Sequence, residues 1–228
     1  MDQRARKMEE RRERILASTC EIVAELGPAG LSMRDLARRS RVTVPTIYNL
    51  VGGRDAVLFA AVEEQTARFV AGIEATSTSN PVERMLAVYE SCLRELLGLP
   101  RYWRTFLRVV FTTPSVETIR TRFEGAMNAE IRGGVMALWK ADLLDDWVAP
   151  EALVALLQRN LGIVTMQWSS GEFADSHLRP AMFYGACCVL AGACADETRK
   201  EFSARAAECQ NSVAAGFARR AERRRKRE

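Results

Sequence analysis

Between Leu31 and Arg54 the chain reads LSMRDLARRSRVTVPTIYNLVGGR, and this run holds the residues best suited to chemistry with a polyanion. Arg34, Arg38, Arg39, Arg41 and Arg54 set five positive charges against one acid, Asp35, which suits contacts that position phosphates without reading sequence. Val44, Pro45, Thr46, Tyr48 and Asn49 share the outer face of one short helix. They are small or polar residues that can approach base edges, which a bulky charged face would not do. The spacing predicts two short helices joined by a tight turn, with Leu31, Leu36, Ala37, Val42 and Ile47 as the apolar seam that fixes their crossing. Ser32 to Asp35 reads as a capping box opening the first helix. Thr43 is placed to cap the second, and Pro45 sits in its first turn, where a missing N–H costs little. Gly52-Gly53 ends it. The same residues admit a plainer reading, with Tyr48 a core aromatic and the arginines a solvated face.

The elements that must position this run are helical throughout, and no stretch alternates at period two. A first helix carries Ile15, Thr19, Ile22, Val23 and Leu26 on one stripe and stops at Gly27-Pro28-Ala29-Gly30. A long fourth helix starts near Arg54 or Asp55, with Leu58, Val62, Phe69 and Ile73 on one face. The stretch from Thr76 to Pro81 is the clearest break. Beyond it come helices holding Val82 to Leu96, Trp103 to Phe111, and about Val116 to Leu144. Another opens at Ala149-Pro150-Glu151 and closes at Ser169-Ser170-Gly171. A last long helix begins near Ser176 and contains the uncharged run Pro180–Ala195. That run is shorter than the ~18 residues of a membrane span, so it reads as a helix buried within protein.

Charge is segregated along the 228 residues. Residues 1–60 hold 11 Lys/Arg against 8 Asp/Glu, residues 61–216 hold 15 against 19, and residues 217–228 hold 7 against 2. The basic ends, rather than the acidic middle, are suited to a polyanion. The arm around Arg4 to Lys7 suits an adjacent minor groove or a disordered basic end equally. Six cysteines (Cys20, Cys92, Cys187, Cys188, Cys194, Cys209) lie in apolar helical patterns with no C-x-x-C pair. Reduced, buried thiols in a cytoplasmic protein are the expectation, with redox sensing by Cys187, Cys188 and Cys194 as the alternative. A nucleophile elbow, a P-loop, paired carboxylates and metal-ligand spacing are all lacking. The one histidine, His177, starts a helix, so no enzyme, cofactor or metal is expected.

The segment from about residue 10 to 60 resembles the DNA-binding domain of the TetR family of regulators. The likeness is carried by Ile15 and Leu16, Ser32 through Ala37, Val42 through Val51, and Arg54-Asp55 with Val57-Leu58. Thr46-Ile47-Tyr48 matches the family's Thr-aliphatic-Tyr core. Three positions depart: Arg41 stands where a turn Gly is usual, Leu50 and Val51 replace an aromatic pair, and Arg54 replaces a Lys. The resemblance implies that Arg34, Val44, Pro45, Thr46 and Asn49 face the major groove, while Ser32, Thr43, Tyr48 and Arg54 hold phosphates.

The implied fold is all-α. A helix-turn-helix DNA-binding domain (1–57) is joined through a long helix to a ligand-binding and dimerisation domain (58–216), followed by a basic tail (217–228), disordered or a frayed helix. A pocket for a small, mainly apolar effector would draw on Trp103, Phe106, Phe111, Phe123, Met127, Met136, Trp139 and Trp168, with Asn160, Thr165 and Gln167 as polar anchors. A homodimer would pair the helices Glu151–Ser169 and Ser176–Ala195 through Leu153, Leu157, Leu161, Leu190, Ala181, Gly185, Ala186 and Gly192, unless those residues pack within one subunit. The partners implied are a palindromic double-stranded DNA operator, the effector and a second copy. The rival reading is an architectural DNA binder working through its arginine tail without sequence preference.

Overall fold

The computed structural model describes the backbone of residues 3–74, 78–112 and 117–225, and their side chains except at 66, 69, 70, 72–74, 109–112, 117–120, 122, 123 and 216–225. Phe69, Ile73, Phe111 and Phe123 therefore lie outside the described side chains. The described residues form ten α-helices: α1 (Gln3–Leu26), α2 (Met33–Ser40), α3 (Val44–Leu50), α4 (Arg54–Glu74), α5 (Pro81–Gly98), α6 (Pro100–Thr112), α7 (Glu117–Lys140), α8 (Pro150–Ser169), α9 (Leu178–Ala193) and α10 (Asp196–Arg225). The all-α expectation holds. No described helix is long and apolar enough to cross a membrane.

The chain divides into two compact units, residues 1–68 with 99–123, and residues 69–98 with 124–228. In the first, Ile15, Leu16, Ile22 and Val23 of α1 are buried with Leu36, Ile47, Val57 and Ala61. Helix α6 packs on α1 in this unit. Its Tyr102 and Phe106 rings stack with centroids 5.7 Å apart, and Trp103 meets Phe106 edge-on at 5.6 Å. The boundary expected at residue 57 is drawn around the helix-turn-helix motif, whereas the contacts extend this unit to residue 68 and include residues 99–123. Gly27 ends α1 at φ 73°, a conformation that favours glycine, and its N–H reaches the Val23 carbonyl at 2.9 Å.

In the second unit, Met85 and Tyr89 of α5, Ile131, Val135 and Leu138 of α7, Leu157 and Trp168 of α8, and Leu178, Met182, Cys187 and Leu190 of α9 are all buried. Trp168 anchors the end of α8 by donating its indole N–H to Asp175 at 2.8 Å. The reading of a last helix starting near Ser176 is corrected: α9 closes at Ala193, and α10 follows as a separate helix. The break is held by a short antiparallel bridge between Leu144 and Cys194. Asp145 N–H donates to Ala193 O at 2.9 Å, and Ala195 N–H donates to Leu143 O at 3.1 Å. Arg199 fastens it, donating to Cys194 O at 2.9 Å and to Asp145 at 2.6 Å. Helix α10 buries Phe202, Ala206 and Cys209, a stripe at helical spacing that the sequence carries in plain view. Within the basic tail, the described backbone of residues 217–225 continues α10.

Two local expectations have different outcomes at the turn between α2 and α3. Thr43 caps α3 as expected, its hydroxyl accepting from Thr46 N–H at 3.3 Å. The capping box at α2 does not form. Ser32 occupies the N-cap position without a side-chain bond, and Asp35 turns instead to Arg38 and Arg39. Arg41 closes α2 in the left-handed region, φ 55° and ψ 46°. Its N–H reaches Arg38 O at 3.3 Å, and Val42 N–H reaches Ala37 O at 3.0 Å. A side chain in that conformation costs about 1 kcal/mol. Arg41→Gly is accordingly expected to raise stability by about 0.5 kcal/mol, the relief of strain exceeding the entropy that glycine adds to the unfolded chain. Urea unfolding of the two proteins measures it, and a loss of stability would contradict the assignment of strain.

Candidate nucleic-acid interface

Helix α3 has seven residues, and Ile47 is its one buried side chain. That single anchor turns the opposite side of the helix to solvent. Pro45, Tyr48 and Asn49 are exposed, while Val44 and Thr46 are half-buried. Tyr48 is 56% exposed, so it is not a core aromatic. The Thr46 hydroxyl lies 2.8 Å from that of Thr43, which orders both hydroxyls at the start of the helix. The structure thus brings Thr43, Val44, Pro45, Thr46, Tyr48 and Asn49 onto one short helix and its cap. Ser32 and Arg34 are exposed at the start of α2.

The arginines of the run divide by what they touch. Arg39 binds Asp35 at 3.1 Å and Glu25 of α1 at 2.9 Å, tying α2 to α1. The Arg39 hydrogen bond holds the Glu25 carboxyl below its usual range, and Arg38 does the same for Asp35. Both acids therefore favour the fold above their unfolded values, and that contribution fades as pH falls through their lowered ones. Arg54, expected on phosphate, keeps 41% of its side chain exposed but is tied to the main chain. Its guanidinium donates to Leu31 O at 3.1 Å and to Pro28 O at 2.6 Å, holding the entry into α2. Arg34 and Arg41 are exposed with no side-chain partner among the described residues, which leaves them the least committed cations of the run.

The residues expected around an effector are divided between the two units. Trp103 and Phe106 belong to the aromatic core of the first unit, whereas Met127, Trp139, Asn160, Thr165, Gln167 and Trp168 belong to the second. Trp139 is 52% exposed on α7 and lines no interior there. Thr165 donates to Leu161 O at 2.9 Å within its own helix, so its hydroxyl is already engaged. Trp168 is spent on Asp175. Gln167 is half-buried. Asn160 lies against Gly185 of α9, so closely that a Cβ there would fall 2.4 Å from the carboxamide nitrogen. The buried oxygen of Asn160 lacks a hydrogen-bond partner, as does the buried hydroxyl of Tyr89. Tyr89 was not among the expected residues, although a lone phenol in the apolar stripe of α5 is a legible signal for a buried polar atom.

The expected dimer residues also divide. Leu153, Leu157, Leu161, Ala186 and Leu190 are buried inside the chain's own second unit and offer no surface to a partner. The solvent face of α8 carries Leu156, Ile163 and Met166 instead, at 49%, 54% and 44% exposure. Ala181 and Gly185 are half-buried and Gly192 exposed, forming with exposed Cys188 a stripe of small residues along α9. The other five thiols are buried and free. Burial pushes Cys20 and Cys194 up to about 11, and Cys92 and Cys187 up to about 12. Raised values suppress the reactive thiolate, so these four are poor redox sensors. They favour the fold below the ordinary thiol value, and that contribution is lost as pH rises through the raised ones.

No family model matches the sequence, and no curated relative does. Solved structures match the fold. A TetR-family transcriptional regulator from Haloarcula marismortui superposes with a TM-score of 0.71 at 17% identity, covering 82% of this chain and 100% of that one. SmeT, the repressor of the Stenotrophomonas maltophilia multidrug efflux pump SmeDEF, gives 0.69 at 20%, covering 82% and 92%. A regulator of the same family from Rhodococcus sp. gives 0.65 at 18%, covering 76% and 95%. The chain has the fold of TetR-family transcriptional regulators.

The two main-chain bonds of Arg54 give it a structural role that can be measured apart from a phosphate role. Arg54→Ala removes two charge-assisted bonds to main-chain carbonyls and is expected to lower stability by about 1–2 kcal/mol in the absence of DNA. Urea unfolding without nucleic acid reads this, and unchanged stability would return Arg54 to the phosphate contacts.

Proposed function

We propose that the chain is a ligand-responsive, DNA-binding transcriptional regulator, a repressor that binds a palindromic operator as a dimer and is released by a small, mainly apolar molecule. The observation that carries the reading is the solvent-facing side of α3, where Pro45, Thr46, Tyr48 and Asn49 stand on a rigid cap and a single buried anchor. A helix presented in this way fits the major groove, with its polar side chains toward base edges. Arg34, Val44, Pro45, Thr46 and Asn49 are assigned to the bases, and Ser32 and Tyr48 to phosphates. Thr43 and Arg54 act mainly by holding the helix and its approach in position. SmeT, of the same fold, is named as a repressor, which supports repression here.

The effector reading rests on the apolar interior of the second unit and on two of its buried polar atoms that lack a hydrogen-bond partner, the Tyr89 hydroxyl and the Asn160 oxygen. A ligand offering a donor to Asn160 and either partner to Tyr89 would satisfy atoms whose burial without hydrogen bonds is costly. Helix α4 runs in one piece from the reading head into the second unit. A ligand that favours one disposition of two such heads would bring half-sites into or out of register.

Selection of binding sites from a random duplex library, followed by competition with random-sequence DNA, tests the reading. Thr46→Ala and Asn49→Ala are expected to change the selected sequence, each shifting discrimination by about 1–3 kcal/mol. Tyr48→Phe is expected to weaken binding to every sequence by about 1 kcal/mol. Equal affinity for selected and random DNA would favour an architectural binder, and operator affinity untouched by any bound apolar molecule would remove the effector.

The dimer seam is proposed along Leu156, Ile163 and Met166 of α8 together with exposed Cys188 and Gly192 of α9, where Gly192 leaves open space for close approach. Ile163→Glu is expected to convert a dimer into a helical monomer, read by light scattering and circular dichroism. A wild-type monomer, or a dimer that survives the change, would displace the seam.

A further inference from the structure

Helix α1 continues for twelve residues before Ile15, the first that it buries. At 1.5 Å per residue that is roughly 18 Å of helix with no core to hold it. Over its first three turns α1 lies beside α3, and a cleft of about 580 Å³ opens between them. Arg4, Lys7, Met8 and Arg11 form its α1 wall, and Thr46 and Asn49 line the α3 side. The spacing i, i+3, i+4, i+7 puts those four α1 residues on one face. The acids of the same stretch point elsewhere: Arg6 holds Glu10 at 3.2 Å and Arg12 holds Glu9 at 3.6 Å. No carboxylate lines the cleft.

We propose that this cleft seats one sugar-phosphate strand of duplex DNA, with Lys7 and Arg11 as a preformed phosphate-binding wall beside Arg4. The inference rests on the reading of α3 as the base-reading helix and deepens it. Two residues assigned to base edges, Thr46 and Asn49, form the opposite side of the cleft. A strand whose bases meet those residues therefore runs its backbone past the cationic face of α1. Lys7 and Arg11 lie one turn apart, about 6 Å along the helix, so the two cations can reach successive phosphates of one strand. Met8, 45% exposed, offers an apolar surface to the sugars. The contact is with the phosphates bordering the major groove and carries no base information, so the extension adds affinity and register without altering sequence preference. This differs from an arm that threads the minor groove, because the extension is helical from Gln3 onward.

The test uses the full chain with Lys7→Gln and Arg11→Gln together, and as a control Arg6→Gln with Arg12→Gln. Binding is measured against salt concentration on two 30-base-pair duplexes, the palindrome selected by the wild type and a random sequence. Each lost phosphate contact lowers the slope of log affinity against log salt by about 0.9. The cleft variant is expected to lose about 2 from the slope on both duplexes and to select the same palindrome as the wild type. The control is expected to keep the wild-type slope, and both variants to keep the wild-type unfolding transition. A wild-type slope in the cleft variant, an equal loss in the control, or an altered selected sequence would overturn the phosphate wall while leaving α3 as the reading helix. Failure of the wild type to bind either duplex would instead overturn the function proposed for α3, and the cleft with it.

Discussion

Everything the helix-turn-helix head presents to solvent depends on the burial of Ile47. A seven-residue helix has no stability of its own in water. Helix α3 exists because Ile47 is fully buried, Thr43 satisfies its first turn, and the N–H groups of Val51 and Gly52 close on the Ile47 carbonyl at 2.9 and 3.1 Å. One anchor on so short a helix sets its rotation as well as its depth, which is why the opposite residues face solvent together. The turn before it tolerates a strained Arg41, since closing α2 in the left-handed region aims Thr43 at the next helix.

The charges around this head are arranged with a similar economy. Arg39 joins α2 to α1 through Glu25 and Asp35, and Arg54 holds the carbonyls that lead into α2. These arginines serve rigidity, so a count of five positive charges overstates the number free to meet a polyanion. The cationic surface that remains is assembled from Arg34 and Arg41 on the motif and from Lys7 and Arg11 of α1.

In the second unit the governing feature is sidedness. Helix α8 is apolar nearly all round. Leu153, Leu157 and Leu161 therefore suited a partner as far as the sequence went, but the second unit buries them and leaves Leu156 and Ile163 exposed. The close approach of Asn160 to Gly185 sets the packing of α8 on α9: the glycine leaves room for the carboxamide, and its oxygen is buried without a partner. An apolar interior holding such an atom and the Tyr89 hydroxyl is high in local polar cost, which is the physical ground for the effector proposed above.

The helices, their order and the turn between α2 and α3 were legible in the sequence because periodicity, Gly27, the Thr43 cap and the Gly52-Gly53 stop are local signals. So were the residues on the outer face of α3, since seven residues at helical spacing admit few rotations once Ile47 is the apolar one. What the sequence could not supply is which partner a side chain chooses among several in reach. Asp35 took Arg38 and Arg39 over the cap of α2, and Arg54 took two carbonyls. Trp103 and Phe106 joined α1's unit, and Leu157 faced inward where Leu156 faced out. The separation of α9 from α10 belongs with these, because it is made by Leu143 and Asp145, some fifty residues away in sequence. Local propensity is written in neighbouring residues, but these choices are competitions between distant groups, and only the tertiary structure brings the competitors together.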